Sequence, residues 1–192
     1  SEDEFLLDDS YLSKRFLKYL KTRGFSEPQW VANEYGLRGA LTGAHAHRLL
    51  FPLTIEGTLY GWSGRAIAPA TIRYKAYPTG SQVRSLVYNL DQAASGGETL
   101  VIAEGPVDAL KLDVLGRPRL RAIGILGVHL TPGRRDLVAR LAERFERVCV
   151  LLDADALSVA LRLKAELGFL GHVQLGSLPE GTKDPGELST LE

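Results

Sequence analysis

The chain has 192 residues and a mass of 21.0 kDa, with 45% hydrophobic and 24% charged residues, which is typical of a globular protein and excludes wholesale disorder. Twenty-three lysines and arginines balance 23 acids, so the whole-chain charge favours no polyanionic partner. A single cysteine, Cys149, excludes a disulfide framework and a zinc ribbon, and the chain has no run of about 18 apolar residues that could cross a membrane.

The first half has the pattern of two short helices followed by a small, mostly antiparallel sheet. Residues 11–23 place apolar side chains on one helical face, Ser10 or Ser13 can cap that helix, and a second helix is predicted over residues 27–35. Strands are predicted at residues 48–54, 59–67 and 71–77, separated by glycine or proline turns. We therefore expect residues 1–95 to form a smaller, basic, mixed α+β subdomain.

After residue 95 the pattern changes to strands that alternate with helices. Strands are predicted at residues 99–103, 121–126, 147–152 and 172–175, and helices at 106–115, 132–145, 156–167 and 185–188. Such alternation is typical of a parallel sheet covered by helices. We therefore expect an α/β subdomain over residues 96–192, in a chain that is α+β overall.

The even charge balance conceals a difference between the two halves. Residues 11–90 contain 11 basic and three acidic residues, whereas residues 101–192 contain 12 basic and 13 acidic residues. This difference favours an anion-binding first half and a cation-binding second half, although a solvated basic surface explains it equally well. The first ten residues are acidic, unlike a signal peptide, so we expect a cytoplasmic protein with no membrane partner.

Acidic side chains follow two of the predicted parallel strands. Glu104 comes directly after the first of them, Asp108 lies four residues later, and Asp153 and Asp155 follow the third. Ligands bind at the carboxyl ends of parallel strands, and residues two apart in extended backbone point to the same side. Two carboxylates that face one point repel each other unless a cation lies between them, and Mg²⁺ prefers such oxygen ligands. The sequence therefore predicts a divalent-metal site at this edge, and Asp184, after the last strand, is placed to join it.

Two of these acids also have a purely structural interpretation. Asp108, in the first turn of a helix, would be stabilised by the helix dipole, and Asp155 could cap the helix predicted from residue 156. The combination of E-G-x-x-D after one strand with D-x-D after another is more specific than any single acid. We therefore favour metal binding for the group as a whole.

Longer segments around these acids resemble a known family. VIAEGPVDAL, GILGVHLTP, VCVLLDADA and LPEGTKDPGEL resemble the Toprim fold, which DnaG-type primases, topoisomerases and some nucleases share. In the first half, KYLKTRGFSEPQWVANEYGL, RLLFPLTIEGTLYGWSGRAI, IRYKAYP and LVYNL resemble the amino-terminal part of a DnaG-type primase catalytic core. The resemblance extends over residues 12–190 and implies a bacterial or bacteriophage DNA primase.

The resemblance implies a Toprim parallel sheet flanked by helices and a centre of two or more Mg²⁺ or Mn²⁺ ions. It assigns metal binding to five acids, which are Glu104, Asp108, Asp153, Asp155 and Asp184. Among these, Glu104, Asp153 and Asp155 are the implied catalytic residues, with Glu104 as the general base or acid. The implied activity is template-directed synthesis of short RNA primers from nucleoside triphosphates on single-stranded DNA.

Four basic residues match family positions that line the path of the triphosphate and the template. Arg65 matches an arginine at the end of a strand, Arg73 falls where lysine is usual, and Lys75 lies two positions further on. Arg84 stands in for another basic residue before LVYNL, with a gap in the alignment. A solvated sheet face is the competing interpretation of these residues.

The chain departs from the family pattern in further respects, one of which is Ser158 in place of the glycine that usually follows D-x-D. Neither the zinc ribbon nor the helicase-interacting domain of such primases lies within the 192 residues, so we expect no structural zinc here and a replicative helicase that binds outside this chain. Gly186 occupies the position of a second acid after Asp184, which leaves Glu187 as the nearest substitute and implies weaker binding of one ion.

Two other functions remain open. A Toprim nuclease would use the same acids to hydrolyse phosphodiesters, but it would not need a basic sheet that binds triphosphate. A non-catalytic module that binds single-stranded DNA would keep the basic half without needing intact Glu104, Asp153 and Asp155. We therefore expect a primase rather than either alternative.

Overall fold

A computed structural model describes residues 12–78 and 81–191, so the acidic amino terminus and the candidate cap Ser10 lie outside the described residues. The α-helices are α1 (Lys14–Thr22), α2 (Pro28–Glu34), α3 (Ser81–Arg84), α4 (Leu90–Ala93), α5 (Pro106–Gly116), α6 (Pro132–Ala142) and α7 (Leu157–Glu166). The strands are β1 (Arg38–Ala40), β2 (Arg48–Ile55), β3 (Thr58–Ala66), β4 (Tyr74–Tyr77), β5 (Gly97–Ala103), β6 (Leu120–Gly124), β7 (Phe145–Val150) and β8 (Val173–Leu175). Single 3-10 turns cover Gly43–His45, Gly168–Leu170 and Pro185–Glu187.

The chain divides into two compact units. The first contains the described residues of the ranges 12–53 and 59–83, and the second contains residues 54–58 and the described residues from 84 onward. Residues 84–95, which the sequence pattern placed with the first half, thus belong to the second unit. Leu90 and Ala93 of α4 lie in its hydrophobic core, and Tyr88 exchanges two backbone hydrogen bonds with Gly124 of β6.

The first unit combines the helix pair α1 and α2 with a four-stranded sheet in the order β1-β2-β3-β4. β1 pairs antiparallel with β2, and β3 pairs antiparallel with β4. The spacing of Phe16 and Leu20 on one helical face predicts their burial, and both are buried. Gly39 in β1 permits close packing here, because a Cβ atom at this position would overlap the ring of Phe16.

The second unit is built on a parallel sheet in the order β6-β5-β7-β8. Its core contains fully buried side chains from the central strands, among them Leu100 and Ile102 of β5 and Val148 and Val150 of β7. Helices α5, α6 and α7 pack against these strands. The predicted α/β class, a parallel sheet flanked by helices, is confirmed. No helix in the described part of the chain is long and apolar enough to cross a membrane.

Several predicted boundaries were wrong: the strand predicted to residue 126 ends at Gly124, the strand predicted to residue 152 ends at Val150, and the helix predicted over residues 185–188 is a 3-10 turn, Pro185–Glu187. Two further boundaries were wrong by three residues. Helix α6 ends at Ala142 rather than at Phe145, because Phe145 pairs with Gly97 and already belongs to β7. Arg73 was predicted within a strand, but β4 begins at Tyr74. The tertiary environment decides both boundaries, since each depends on hydrogen bonds to residues that are distant in the chain.

Candidate active site

The acids predicted after β5 and β7 lie at the same edge of the parallel sheet. Ile102 of β5 is paired with Val150 of β7, and the N–H of Leu151 donates a 3.0 Å hydrogen bond to the carbonyl of Ile102. Glu104 and Asp153 therefore follow neighbouring parallel strands at their carboxyl ends, where ligands bind in open parallel sheets. Both side chains are half-buried.

A tight turn joins Glu104 to helix α5. Gly105 precedes the helix in extended conformation, and Pro106 opens the helix at a position where its missing N–H has no cost. The turn lies directly against β6, since a Cβ atom at Gly124 would stand 2.9 Å from the carbonyl oxygen of Gly105. Asp108 falls in the first turn of α5, so stabilisation by the helix dipole remains an interpretation beside metal binding.

We expect Gly124→Ala to lower the free energy of unfolding by about 1–3 kcal/mol, the usual cost of overpacking, because the added Cβ meets backbone that cannot rotate away. Urea denaturation measures the change. Gly168→Ala is the matched control, because a Cβ there meets nothing within 4 Å, and it should change stability by less than about 0.5 kcal/mol. Equal unfolding midpoints for the two variants would contradict the close approach of the Gly105 turn to β6.

The loop that carries Asp153 and Asp155 adjoins the loop that carries Asp184. The N–H of Ala154 donates a 2.9 Å hydrogen bond to the carbonyl of Lys183. Asp153 and Asp184 are half-buried, whereas Asp155 is exposed. The residue at the cap of α7 is Ala156, with no side-chain capping hydrogen bond, so the interpretation of Asp155 as a helix cap was wrong.

Glu187 has a structural role that the sequence did not reveal. Its carboxylate accepts a 2.9 Å hydrogen bond from the N–H of Lys183 and so closes the loop around Asp184. The 3-10 turn that contains Glu187 packs against α5, the helix that carries Asp108. This contact places the loop that carries Asp184 beside the helix that carries Asp108, at the same edge of the sheet.

The five acids therefore lie on segments that meet at one edge. Over the described ranges 12–78 and 81–191, however, no group of three or more His, Cys, Asp and Glu side chains is arranged to hold a metal ion. Mg²⁺ is commonly held by one or two carboxylates, with waters and substrate phosphates as the other ligands. The oxygen donors present fit such an ion without a complete protein cage, and the assignment of individual ligands stays a prediction.

The predicted basic residues of the first unit do not share one face of the sheet. Arg65 is paired with Tyr74, and Lys75 with Gly64. Because paired residues share a face and successive residues alternate, Arg65 and Lys75 project from opposite faces. The guanidinium of Arg65 lies 4.9 Å from the centre of the Tyr74 ring. Burial lowers the pKa of Arg65, but its interactions with Tyr74 and Tyr19 outweigh burial and hold the pKa above its usual value.

The other two predicted basic residues are exposed. Arg73 lies immediately before β4 in the first unit. Arg84 ends α3 and belongs to the second unit, where its carbonyl accepts a 3.0 Å hydrogen bond from the hydroxyl of Thr131.

Arg48 is a buried arginine that the sequence patterns do not predict as a functional residue. Its guanidinium donates hydrogen bonds to the carbonyls of Gly64 at 3.1 Å, Ile72 at 2.7 Å and Arg73 at 3.2 Å. It is only 8% exposed, and it fixes the segment that leads into β4 and the backbone of Arg73. The signal in the sequence is an arginine that opens the otherwise apolar run RLLF.

Solved structures share this architecture over most of the chain. The primase fragment of the bacteriophage T7 primase-helicase protein matches with a TM-score of 0.68 and 19% identity, over 94% of this chain and 74% of that one. A DnaG primase catalytic domain bound to single-stranded DNA matches with a TM-score of 0.68 and 20% identity, over 93% of this chain and 70% of that one. The chain has the fold of a primase catalytic core.

The catalytic core of Escherichia coli primase shares this primase fold, with a TM-score of 0.60 and 24% identity over 88% of this chain. The chain spans 57% of the length of that core. No protein-family model matches the sequence, and no curated protein matches it. The likeness to primases therefore rests on the arrangement of helices and strands.

Proposed function

We propose that this chain is the catalytic core of a DnaG-type DNA primase, which synthesises short RNA primers on single-stranded DNA by metal-dependent nucleotidyl transfer. The main support is the primase fold, which extends over 94% and 93% of the chain in the comparisons with the T7 and DnaG primases. The acids that follow β5 and β7 at one edge of the sheet supply the chemistry that this activity needs. The DnaG neighbour was solved with single-stranded DNA, which supports the same partner here.

The acidic edge is the proposed metal centre of this primase. Glu104, Asp108, Asp153, Asp155 and Asp184 are the residues that would hold two or more Mg²⁺ or Mn²⁺ ions. Such ions, when bound, activate an attacking 3′-hydroxyl and neutralise the charge of the triphosphate. The chain contributes the placement of its carboxylates, through the Gly105 turn and the hydrogen bond from Ala154 to Lys183.

The basic residues are the proposed contacts to the nucleoside triphosphate and the template. The side chain of Arg73 is exposed, and Arg48 holds the backbone of Arg73 in place. The charge of Arg73 can therefore contact phosphate oxygens without any change in the fold. Arg65 is held by tyrosines, which fixes the position of its charge. Lys75 and Arg84 are the other two proposed contacts to the nucleoside triphosphate and the template. We place the activity in the cytoplasm and expect a replicative helicase to bind outside this chain.

Incubation of the chain with single-stranded DNA, Mn²⁺ and labelled nucleoside triphosphates tests the proposal. Oligoribonucleotide products that depend on both template and metal are the expected result. Degradation of the DNA would instead identify a nuclease that uses the same acids. Binding of DNA with neither product nor degradation would identify a non-catalytic module and would refute the primase proposal.

We expect Arg73→Ala to raise the KM for nucleotide or to weaken template binding, with the slope of log affinity against log salt shallower by about 0.7 for each lost phosphate contact. Nitrocellulose filter binding at several salt concentrations and initial rates measure the two effects. Arg140→Ala, which removes an exposed arginine from α6, is the matched control. An unchanged KM and an unchanged slope for Arg73→Ala would make Arg73 a plain surface residue.

A further inference from the structure

A groove of about 630 Å³ in the first unit is lined by residues of α1, α2 and the segment between them. Its lining includes Lys14, Lys18 and Lys21 of α1 and Trp30 of α2. The volume lies within the range of about 300–1,000 Å³ that is usual for sites of organic ligands. None of these residues belongs to the proposed catalytic edge or to the basic residues matched to the primase family.

The three lysines form a single stripe on α1. Their spacings of four and three residues place them on one face of the helix, and all three are exposed. Phe16 and Leu20 of the same helix are buried, so the helix is held in place by its apolar side. The lysine stripe therefore presents positive charge to solvent from a fixed support.

Trp30 presents a large aromatic surface beside this charge. Its side chain is 45% exposed, although tryptophan is usually well buried, while the next two residues, Val31 and Ala32, anchor α2 in the core. The indole therefore lies on a rigid element, with both charged and apolar groups lining the same groove. Glu27 is the acid among the lining residues, against three lysines.

The combination of three lysines and an exposed indole favours one class of polyanion over the others. Lysines attract the phosphates of a nucleic acid and the carboxylates of an acidic peptide alike, but an exposed indole adds affinity only for a ligand with flat apolar surfaces. Single strands expose their bases for stacking on aromatic side chains, whereas duplexes do not. The groove therefore fits a single-stranded nucleic acid better than an acidic peptide or a duplex.

We propose that the groove lined by α1 and α2 is a separate binding site for single-stranded nucleic acid, in which Lys14, Lys18 and Lys21 bind phosphates and Trp30 stacks on a base. This binding requires neither metal nor nucleoside triphosphate. It goes beyond the proposed primase activity and does not depend on it, so the two proposals fail by different results.

Intrinsic fluorescence reports on the site directly. The chain has two tryptophans, so Trp62→Phe leaves Trp30 as the single tryptophan reporter. Titration of this variant with an oligothymidylate, without metal or nucleotide, should quench the fluorescence to saturation. In the otherwise unchanged chain, Trp30→Ala should weaken binding of a labelled oligothymidylate about five-fold or more, the lower range of base–aromatic stacking, while Trp30→Phe should retain most of the affinity.

Lysine variants test the phosphate contacts. Lys18→Ala should make the slope of log affinity against log salt shallower by about 0.7, the value for one phosphate contact on a single strand. Lys164→Ala is the matched control, since it removes an exposed lysine from α7 in the second unit. A slope that changes equally in both variants would overturn the assignment of these contacts to α1.

The remaining outcomes decide the proposal. Binding of the labelled oligonucleotide with no change in Trp30 fluorescence would overturn it, and so would equal quenching by polyglutamate, which would identify an acidic peptide as the ligand. Asp153→Ala in the Trp62→Phe background should keep the full quenching. If the chain shows quenching but synthesises no primers, the groove proposal is supported and the primase proposal is refuted. If the chain synthesises primers without quenching, the primase proposal is supported and the groove proposal is refuted.

Discussion

Asp153→Ala is expected to lower the rate of Mn²⁺-dependent primer synthesis by about a thousand-fold or more, which corresponds to about 4 kcal/mol in the activation barrier. Asp153 follows β7 at the edge where Glu104 follows β5, so its loss removes one of the proposed metal ligands. The variant should still fold, because removing one carboxylate also reduces repulsion between like charges at that edge. Extension assays on single-stranded DNA measure the rate, and urea denaturation measures the stability.

Asp136→Ala provides the matched control for this variant. Asp136 is an exposed acid of α6 in the same unit, and its loss should leave both the rate and the stability unchanged. Asp153→Ala with normal synthesis would refute the metal assignment. If Asp153→Ala loses synthesis only because it unfolds, urea denaturation will show a lowered midpoint. Asp153→Asn would then replace this variant in the rate measurement.

The second large effect is expected from Asp113→Ala, which should lower the free energy of unfolding by about 3–5 kcal/mol. Asp113 of α5 is fully buried, and its Oδ2 atom lies 3.1 Å from Nη2 of Arg121 in β6. Its Oδ1 atom accepts a 2.8 Å hydrogen bond from the N–H of Ala122. The substitution leaves a buried guanidinium without its counter-charge and a buried N–H without its acceptor.

An exposed ion pair in the same unit gives the comparison. Arg119 and Glu98 lie 2.6 Å apart at the surface, and Arg119→Ala should cost less than about 1 kcal/mol because solvent screens such pairs. Urea denaturation of both variants at neutral pH measures the difference. Similar losses from Asp113→Ala and Arg119→Ala would contradict the role of burial in the Asp113–Arg121 pair.

The strand and helix order of the second unit could be predicted because it depends on local patterns. The apolar run at residues 99–103 and the proline at the start of α5 are signals within a few residues of the elements that they predict. The same local order places Glu104 directly after β5 and Asp153 three residues after the end of β7. By contrast, β1 and α4 are too short to show a period, and they form because β1 pairs with β2 and because Leu90 and Ala93 are buried.

The sequence by itself determined the alternation of elements, the class of fold and the positions of the acids after their strands, since periodicity and turn residues act over short distances. Only the tertiary structure decided that Arg65 and Lys75 project from opposite faces, that Arg48 holds the backbone of Arg73, and that the loops of Ala154 and Lys183 meet. These features depend on strand register and on hydrogen bonds between distant residues. A shift of one residue in register reverses the face of every side chain in a strand, and no local pattern specifies that choice.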